Sequence, residues 1–313
     1  MDFYLERVRV GLESYWACSR AFWCTLFGTK NEQTSMNEQQ QFYLNPYGAA
    51  VEAGSDWIVL LLLFLLVHTV SWWGRWFLWE PLARQRIKRP TQRNVRKFSA
   101  IATANLFHTL SAIFAWRILY HRDWLLARSE WNVRQETVDT DLKSYYLLYA
   151  ARYASDAISL FYEIPKEDTW AFAVHHVVTV LLVLGSAQGG YTRIGSVFMF
   201  FLDWVDIVLT AAKLCKYMSF RRNDGWQFLA DRLFEVFVVS FFITRNGILN
   251  YVAYACLVDF ENTPLKALAL MLVGLMTYWL VLIIKAVIHQ LFGNGSFDDL
   301  RESDDEEEFD KQK

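Results

Sequence analysis

Two short constellations in this 313-residue chain could carry chemistry. His175 and His176 stand side by side in one apolar stretch, and Asp203 and Asp206 stand three apart in the next. Residues three apart on a helix share a face. Two carboxylates on one face of an apolar helix need partners or water. A carboxylate that holds one nitrogen of an imidazole fixes its tautomer and stabilises developing imidazolium charge. The other nitrogen can then serve as general base or nucleophile. Adjacent histidines point about 100° apart on a helix, so one faces the reacting centre while the other orients substrate or packs. Residue types and spacing leave three readings open: catalysis, a proton or ion pathway, or a structural network.

A metal site fits less well. The chain has six histidines, with one His-His pair and no HxxxH or HxxHH box, whereas metal chemistry needs a converging set of ligands. Cys18, Cys24, Cys215 and Cys256 show no CxxC spacing and read as packing residues. Neither a metal nor a cofactor is expected.

The elements that must position these residues follow from the distribution of apolar residues. The total of 54% hydrophobic decides nothing, since soluble domains approach it. The apolar residues, however, gather in blocks of about 20, the length a helix needs to cross a bilayer. Seven spans are predicted, at 56–79, 98–120, 142–164, 169–188, 192–214, 226–250 and 265–289. The fold class is therefore an all-α membrane protein with about seven transmembrane helices. Trp72, Trp73, Trp76 and Trp79 mark the far end of the first span at headgroup level, and Pro81 is expected to break its helix.

Charge orients the spans. The loop 80–97 contains RQRIKRPTQRNVRK at 84–97, the most basic stretch of the chain. The positive-inside rule places it in the cytosol, the N-terminus in the lumen and the C-terminus in the cytosol. The segment 215–225, with Lys216, Arg221 and Arg222, falls on the cytosolic side, and 251–264, with Asp259 and Glu261 but no Lys or Arg up to Pro264, on the lumenal side. Segment 121–141 runs against the rule, being lumenal by count yet holding Arg122, Arg128 and Arg134. Residues 1–55 have no continuous apolar core and read as a lumenal or interfacial segment. Residues 291–313 read as an acidic, disordered cytosolic tail in which Ser296 and Ser303 precede acidic residues, as an acidophilic kinase requires. The net charge of −2 and its segregation exclude a nucleic-acid partner.

Ionisable residues within spans cost about 2.5–3.5 kcal/mol each and are functional candidates by default. Arg152 and Asp156, four apart, read as a pair. Asp231, Arg232 and Glu235 lie near the end of the sixth span, and Arg245 lies deeper within it. His175 and Asp206 each lie about seven residues from the same membrane face, so both sit roughly 10 Å deep. The short loop between their spans makes those spans antiparallel neighbours. This placement predicts a His175–Asp206 pair.

Residues 166–216 read KEDTWAFAVHHVVTVLLVLGSAQGGYTRIGSVFMFFLDWVDIVLTAAKLCK. The order Asp168, His175-His176, Arg193-Ile194-Gly195, Asp203 and Asp206, then Ala211-Ala212-Lys213 resembles the signature of ceramide synthases in the TLC-domain family. The resemblance extends over about 95–290, including the Tyr pair before Arg152 and the stretch FFITRNGI from Phe241 to Ile248. Lys166-Glu167-Asp168 departs from the family's basic-basic-Asp pattern. The resemblance implies a TLC domain over 98–290, following the first span at 56–79. Its six helices would form a barrel around a tunnel. It implies transfer of an acyl group from a fatty acyl-CoA to a sphingoid base in the endoplasmic reticulum membrane, with membrane lipid around the chain. His175 would carry the acyl group with Asp206 as partner, and His176 and Asp203 would position the amine or move protons. Lys166, Lys213, Lys216, Arg221 and Arg222 lie at the expected cytosolic mouth. A homodimer or a small accessory subunit is left open. Two other functions compete: a non-catalytic TLC protein that binds or senses lipid or assists translocation, and a proton-coupled transporter using the same polar cluster.

Overall fold

The computed structural model describes residues 42–43, 55–87, 89–131, 133–135, 137–164, 168–219, 225–259 and 263–292. The expectations for the rest of 1–55, for Lys166, Arg221 and Arg222, and for the tail beyond Phe292 lie outside the described residues. The described chain is almost wholly helical: α1 (Ser55–Gly74), α2 (Glu80–Arg86), α3 (Gln92–Leu119), α4 (Arg128–Trp131), α5 (Thr140–Ser159), α6 (Thr169–Gly189), α7 (Thr192–Met218), α8 (Gly225–Phe241), α9 (Leu249–Asp259) and α10 (Thr263–Phe292). A minimal antiparallel pairing, β1 (Phe42–Tyr43) with β2 (Thr137–Val138), is the one sheet among the described residues.

Six helical stretches are long and apolar enough to cross a membrane: Asp56–Arg86, Gln92–Leu119, Thr169–Gly189, Thr192–Met218, Gly225–Asp259 and Thr263–Phe292. The chain is a multi-pass membrane protein. The remaining predicted span, 142–164, is the 20-residue helix α5, about 30 Å long but too polar to qualify. Its polar groups point inward. Lys143, Arg152 and Ser155 are buried, as are Tyr145, Tyr149 and Tyr153, spaced four apart along one stripe. Tyr149 donates to the Tyr153 hydroxyl at 3.2 Å.

Contacts fix the helix directions. Asp56 meets Lys143, His68 meets Ser155 and Arg75 meets Glu163, at 2.8, 3.0 and 2.6 Å. Residue numbers rise together, so α1 and α5 run parallel. Tyr146 meets Ser186 and Tyr153 meets His176, so α5 and α6 run antiparallel. Phe114 packs on Tyr145 and Arg152 reaches His108, so α3 and α5 also oppose. Helix α5 thus packs antiparallel to both α3 and α6.

Several boundaries differ from expectation, each for a local reason. Pro81 does not end the first span. A π-turn over Arg75–Trp79, in which the Glu80 amide bonds the Arg75 carbonyl, precedes the proline, and the helix continues to Arg86. The wider turn gives room for a ring that clashes with an α-helical carbonyl. The basic loop 80–97 shrinks to a short link because Thr91 caps α3 early, its hydroxyl accepting from the Asn94 amide. The sixth span runs on through a second π segment, Phe242–Ile248, to Asp259. Segment 121–141 holds its arginines in local bonds: Arg122 with Asp139, Arg128 with Asp259, and Arg134 with the Gly189 carbonyl. Two of the three arginines are thus neutralised by carboxylates and the third is held by a carbonyl.

Lys143 and Asp56 are 2% and 0% exposed in their side chains. Breaking a buried pair strands one charge and costs about 3–5 kcal/mol. Lys143→Met should therefore lower thermal stability in detergent sharply, whereas Lys143→Met combined with Asp56→Leu should recover most of the loss. Equal melting temperatures for wild type and Lys143→Met would show that the pair does not join α1 to α5.

Candidate active site

Helices α3, α5, α6 and α7 and the π segment Phe242–Ile248 bring the polar side chains together. His175 projects from α6 and is buried. Its ring lies edge-on to Trp279 of α10 at 5.2 Å and to Tyr153 of α5 at 6.0 Å, with His176 tilted beside it at 5.5 Å. Tyr153 also meets His176 edge-on at 5.6 Å. Nδ1 of each histidine is enclosed without a hydrogen-bond partner. Such a nitrogen is costly to bury unused, which marks the pair as more than packing.

Asp203 on α7 is 1% exposed, and both its oxygens are occupied. Oδ1 accepts from Nη1 of Arg152 at 2.9 Å and lies 2.8 Å from Nδ1 of His108; Oδ2 accepts from the Ser111 hydroxyl at 2.6 Å. Helices α3, α5 and α7 thus meet at one carboxylate. Asp206, one turn on, accepts from Nη2 of Arg245 at 2.8 Å, and the same guanidinium bonds the Leu202 carbonyl at 2.6 Å and approaches Met276 Sδ at 3.3 Å. Arg245 lies in the π segment Phe242–Ile248. An extra residue in a turn rotates the rest of the helix about its axis, and such bulges recur at functional sites.

The structure gathers His175, His176, Asp203 and Asp206 into one cluster but pairs them differently from the sequence prediction. His175 lies within electrostatic reach of Arg245, His108 and Asp203, and His176 of Asp156, Arg152, His108 and Asp206. Yet no hydrogen bond joins His175 to Asp206 among the described residues, because Arg245 takes the carboxylate. A guanidinium always carries charge and matches a carboxylate's geometry, so it outcompetes a neutral imidazole. Arg152, expected to pair with Asp156, does so only at 3.5 Å and gives its shorter bond to Asp203. Sequence reasoning passed over His108, although an imidazole within an apolar span is itself a signal. It gave Arg245 no role. Lys213 is buried on α7 rather than displayed at a mouth. Cys215 and Cys256 are free and buried, as packing residues should be. Among the described residues no group of three His, Cys, Asp or Glu side chains could hold a metal.

An apolar cavity starts one turn beyond His175 and runs away from it between α6, α7 and α10. Thr179, Val183, Phe198, Leu202, Leu265 and Leu272 are among its lining residues. Gly195, at its wall, is forced by packing. A Cβ there would collide with the Tyr146 hydroxyl and stand 2.6 Å from Ser186 Oγ. Tyr146 donates to the Thr192 carbonyl at 2.8 Å, so it is not free to move. Arg193, two residues earlier, holds Glu130 and packs over Trp124. The Arg-Ile-Gly motif thus serves architecture. Gly195→Ala should destabilise the protein by about 1–3 kcal/mol, read as a lower melting temperature in detergent. Adding Tyr146→Phe should return part of it, and a variant as stable as wild type would contradict the contact.

Residues 97–287 match the family model for the TLC domain. The chain is 30% identical over 244 residues to ceramide synthase 4 of Mus musculus, covering 74% of this chain and 59% of that one. It is 28% identical to ceramide synthase 4 of Homo sapiens, with 75% and 60% covered, and 29% identical to the human ceramide synthase 5, with 55% and 42% covered. The chain therefore spans less than two thirds of the length of these curated relatives.

Proposed function

The chain belongs to the TLC-domain family, and on that premise we propose that it is a ceramide synthase, a sphingoid base N-acyltransferase of the endoplasmic reticulum membrane that uses fatty acyl-CoA. The observation that carries this reading is a buried His pair whose Nδ1 atoms lack hydrogen-bond partners, on a helix that also lines an apolar cavity from Thr179 onward. A thioester carbonyl beside His175 would direct its acyl chain toward that apolar wall.

In the proposed sequence a ring nitrogen of His175 attacks the thioester carbonyl. The carbon–sulfur bond breaks, and CoA leaves as the thiol, taking the imidazole proton. The amine of the sphingoid base then attacks the acyl-imidazole, the carbon–nitrogen bond to the ring breaks, and an amine proton returns to the imidazole. Splitting one transfer into two steps is what a nucleophile contributes, and an enclosed apolar site keeps water from the activated acyl group. Arg245 lies within electrostatic reach of His175 and could stabilise the oxyanion of each tetrahedral intermediate. Asp206 holds Arg245, so its role runs through the guanidinium. Asp203 is saturated by Arg152, His108 and Ser111 and fixes the helices. No cofactor enters this scheme beyond acyl-CoA as co-substrate, and the cytosolic face is assigned to the Thr169 end of α6, the end nearer the His pair.

The test is intact-protein mass spectrometry of wild type and His175→Ala, each incubated with hexadecanoyl-CoA and no amine. The wild type alone should gain one acyl mass, and sphinganine should discharge it. Ceramide formed without any adduct would reassign His175 as a general base. Ceramide formed at substantial rate by His175→Ala would remove it from the chemistry.

A further inference from the structure

Reading the cluster as an N-acyltransferase site leaves one need unmet. A long-chain amine arrives as an ammonium, since alkyl amines titrate near a lysine's value of about 10, yet only the neutral amine can attack an acyl group. Asp203 cannot receive it, being buried with both oxygens bonded. We propose that Asp156, a carboxylate outside the His-His and Asp-x-x-Asp motifs, binds the substrate ammonium and accepts its proton. This proposal rests on the acyltransferase reading above.

Three observations carry it. First, Asp156 stands on the face of α5 that meets the His pair, one turn beyond Arg152 and three residues beyond Tyr153, whose ring touches both imidazoles edge-on. Second, its side chain is 31% exposed, against 1% for Asp203, and its ion pair to Nε of Arg152 is a long 3.5 Å. Asp206 is similarly open at 29% but is held by Arg245 at 2.8 Å. Third, three carboxylates (Asp156, Asp203, Asp206) stand against two guanidiniums (Arg152, Arg245) among these described ion pairs, and Arg152 gives its shorter bond to Asp203. Carboxylates within a membrane protein need partners, and an ammonium would supply one for Asp156.

Arg152 is the ion partner of Asp156, and through Arg152 the carboxylate neighbours Asp203 on α7 and His108 on α3. His176 on α6 feels the charges of Asp156 and Asp206, Tyr153 lies one turn back on the same helix, and the adjacent Ser155 bonds His68 on α1. Binding pairs the carboxylate with the ammonium. One proton passes from nitrogen to the carboxylate oxygen, and the neutral amine attacks the acyl carbon. Its second proton goes to the departing imidazole, and the carboxylic acid later releases its proton to water.

The experiment compares wild type, Asp156→Asn and Asp156→Glu in steady-state assays with sphinganine and hexadecanoyl-CoA. Asp156→Asn should raise KM for sphinganine about tenfold or more and leave KM for the acyl-CoA, and the extent of acylation without amine, near wild type. Raising the pH should shrink its defect, because more amine then arrives neutral. A purely structural loss would not recover in this way. Asp156→Glu should restore much of the activity. An active wild type whose Asp156→Asn variant keeps its sphinganine KM and pH profile overturns the role of Asp156 alone. A wild type that makes no amide from these substrates overturns the acyltransferase reading and, with it, this assignment.

Discussion

The contact between Arg152 and Asp203 is the one on which the rest of the arrangement depends. It lies between two helices, and both side chains are buried. Charges taken from water are tolerated only when their remaining hydrogen-bonding capacity is met. Here Ser111 and His108 bring a third helix to the same carboxylate. The result fixes α3, α5 and α7 at one depth. That depth sets where Tyr153 stands and so where the His pair is held. A hydrophobic contact could join these helices but would not select a register along them.

This network explains why the middle of the molecule resists reading as a membrane span. Helix α5 spends its inward face on Lys143, Arg152, Ser155 and a stripe of tyrosines, so its hydropathy is low although its neighbours enclose it. The apolar blocks of the sequence placed a span at 142–164, and the structure shows a helix there whose polar content keeps it from qualifying as one. The all-helical multi-pass architecture, the His pair, the two aspartates and their common cluster were legible, because each leaves a periodic or compositional trace; of the seven expected spans, six are long and apolar enough to cross a membrane.

The partners were not legible. Same-depth reasoning ties His175 to Asp206, but depth does not say which of several neighbours turns toward a carboxylate. Arg245 does so through a π segment, and a one-residue bulge leaves no mark in hydropathy. His108 lies about a hundred residues from Asp203, and nothing local links them. The first π-turn likewise hid the continuation of the helix past Pro81, since the usual rule for proline presumes α-helical turns before it.

The parallel course of α1 and α5 has a consequence for how the protein is made. Asp56, His68 and Arg75 meet Lys143, Ser155 and Glu163, later in the chain by about the 87 positions separating His68 from Ser155. At roughly 5–20 residues per second, the ribosome delivers those partners some 4–17 s after the first helix has emerged. Throughout that interval a helix with three polar groups on its flank must be sheltered from lipid tails. The membrane insertion machinery, rather than the bilayer, is therefore the first environment this helix is built to occupy.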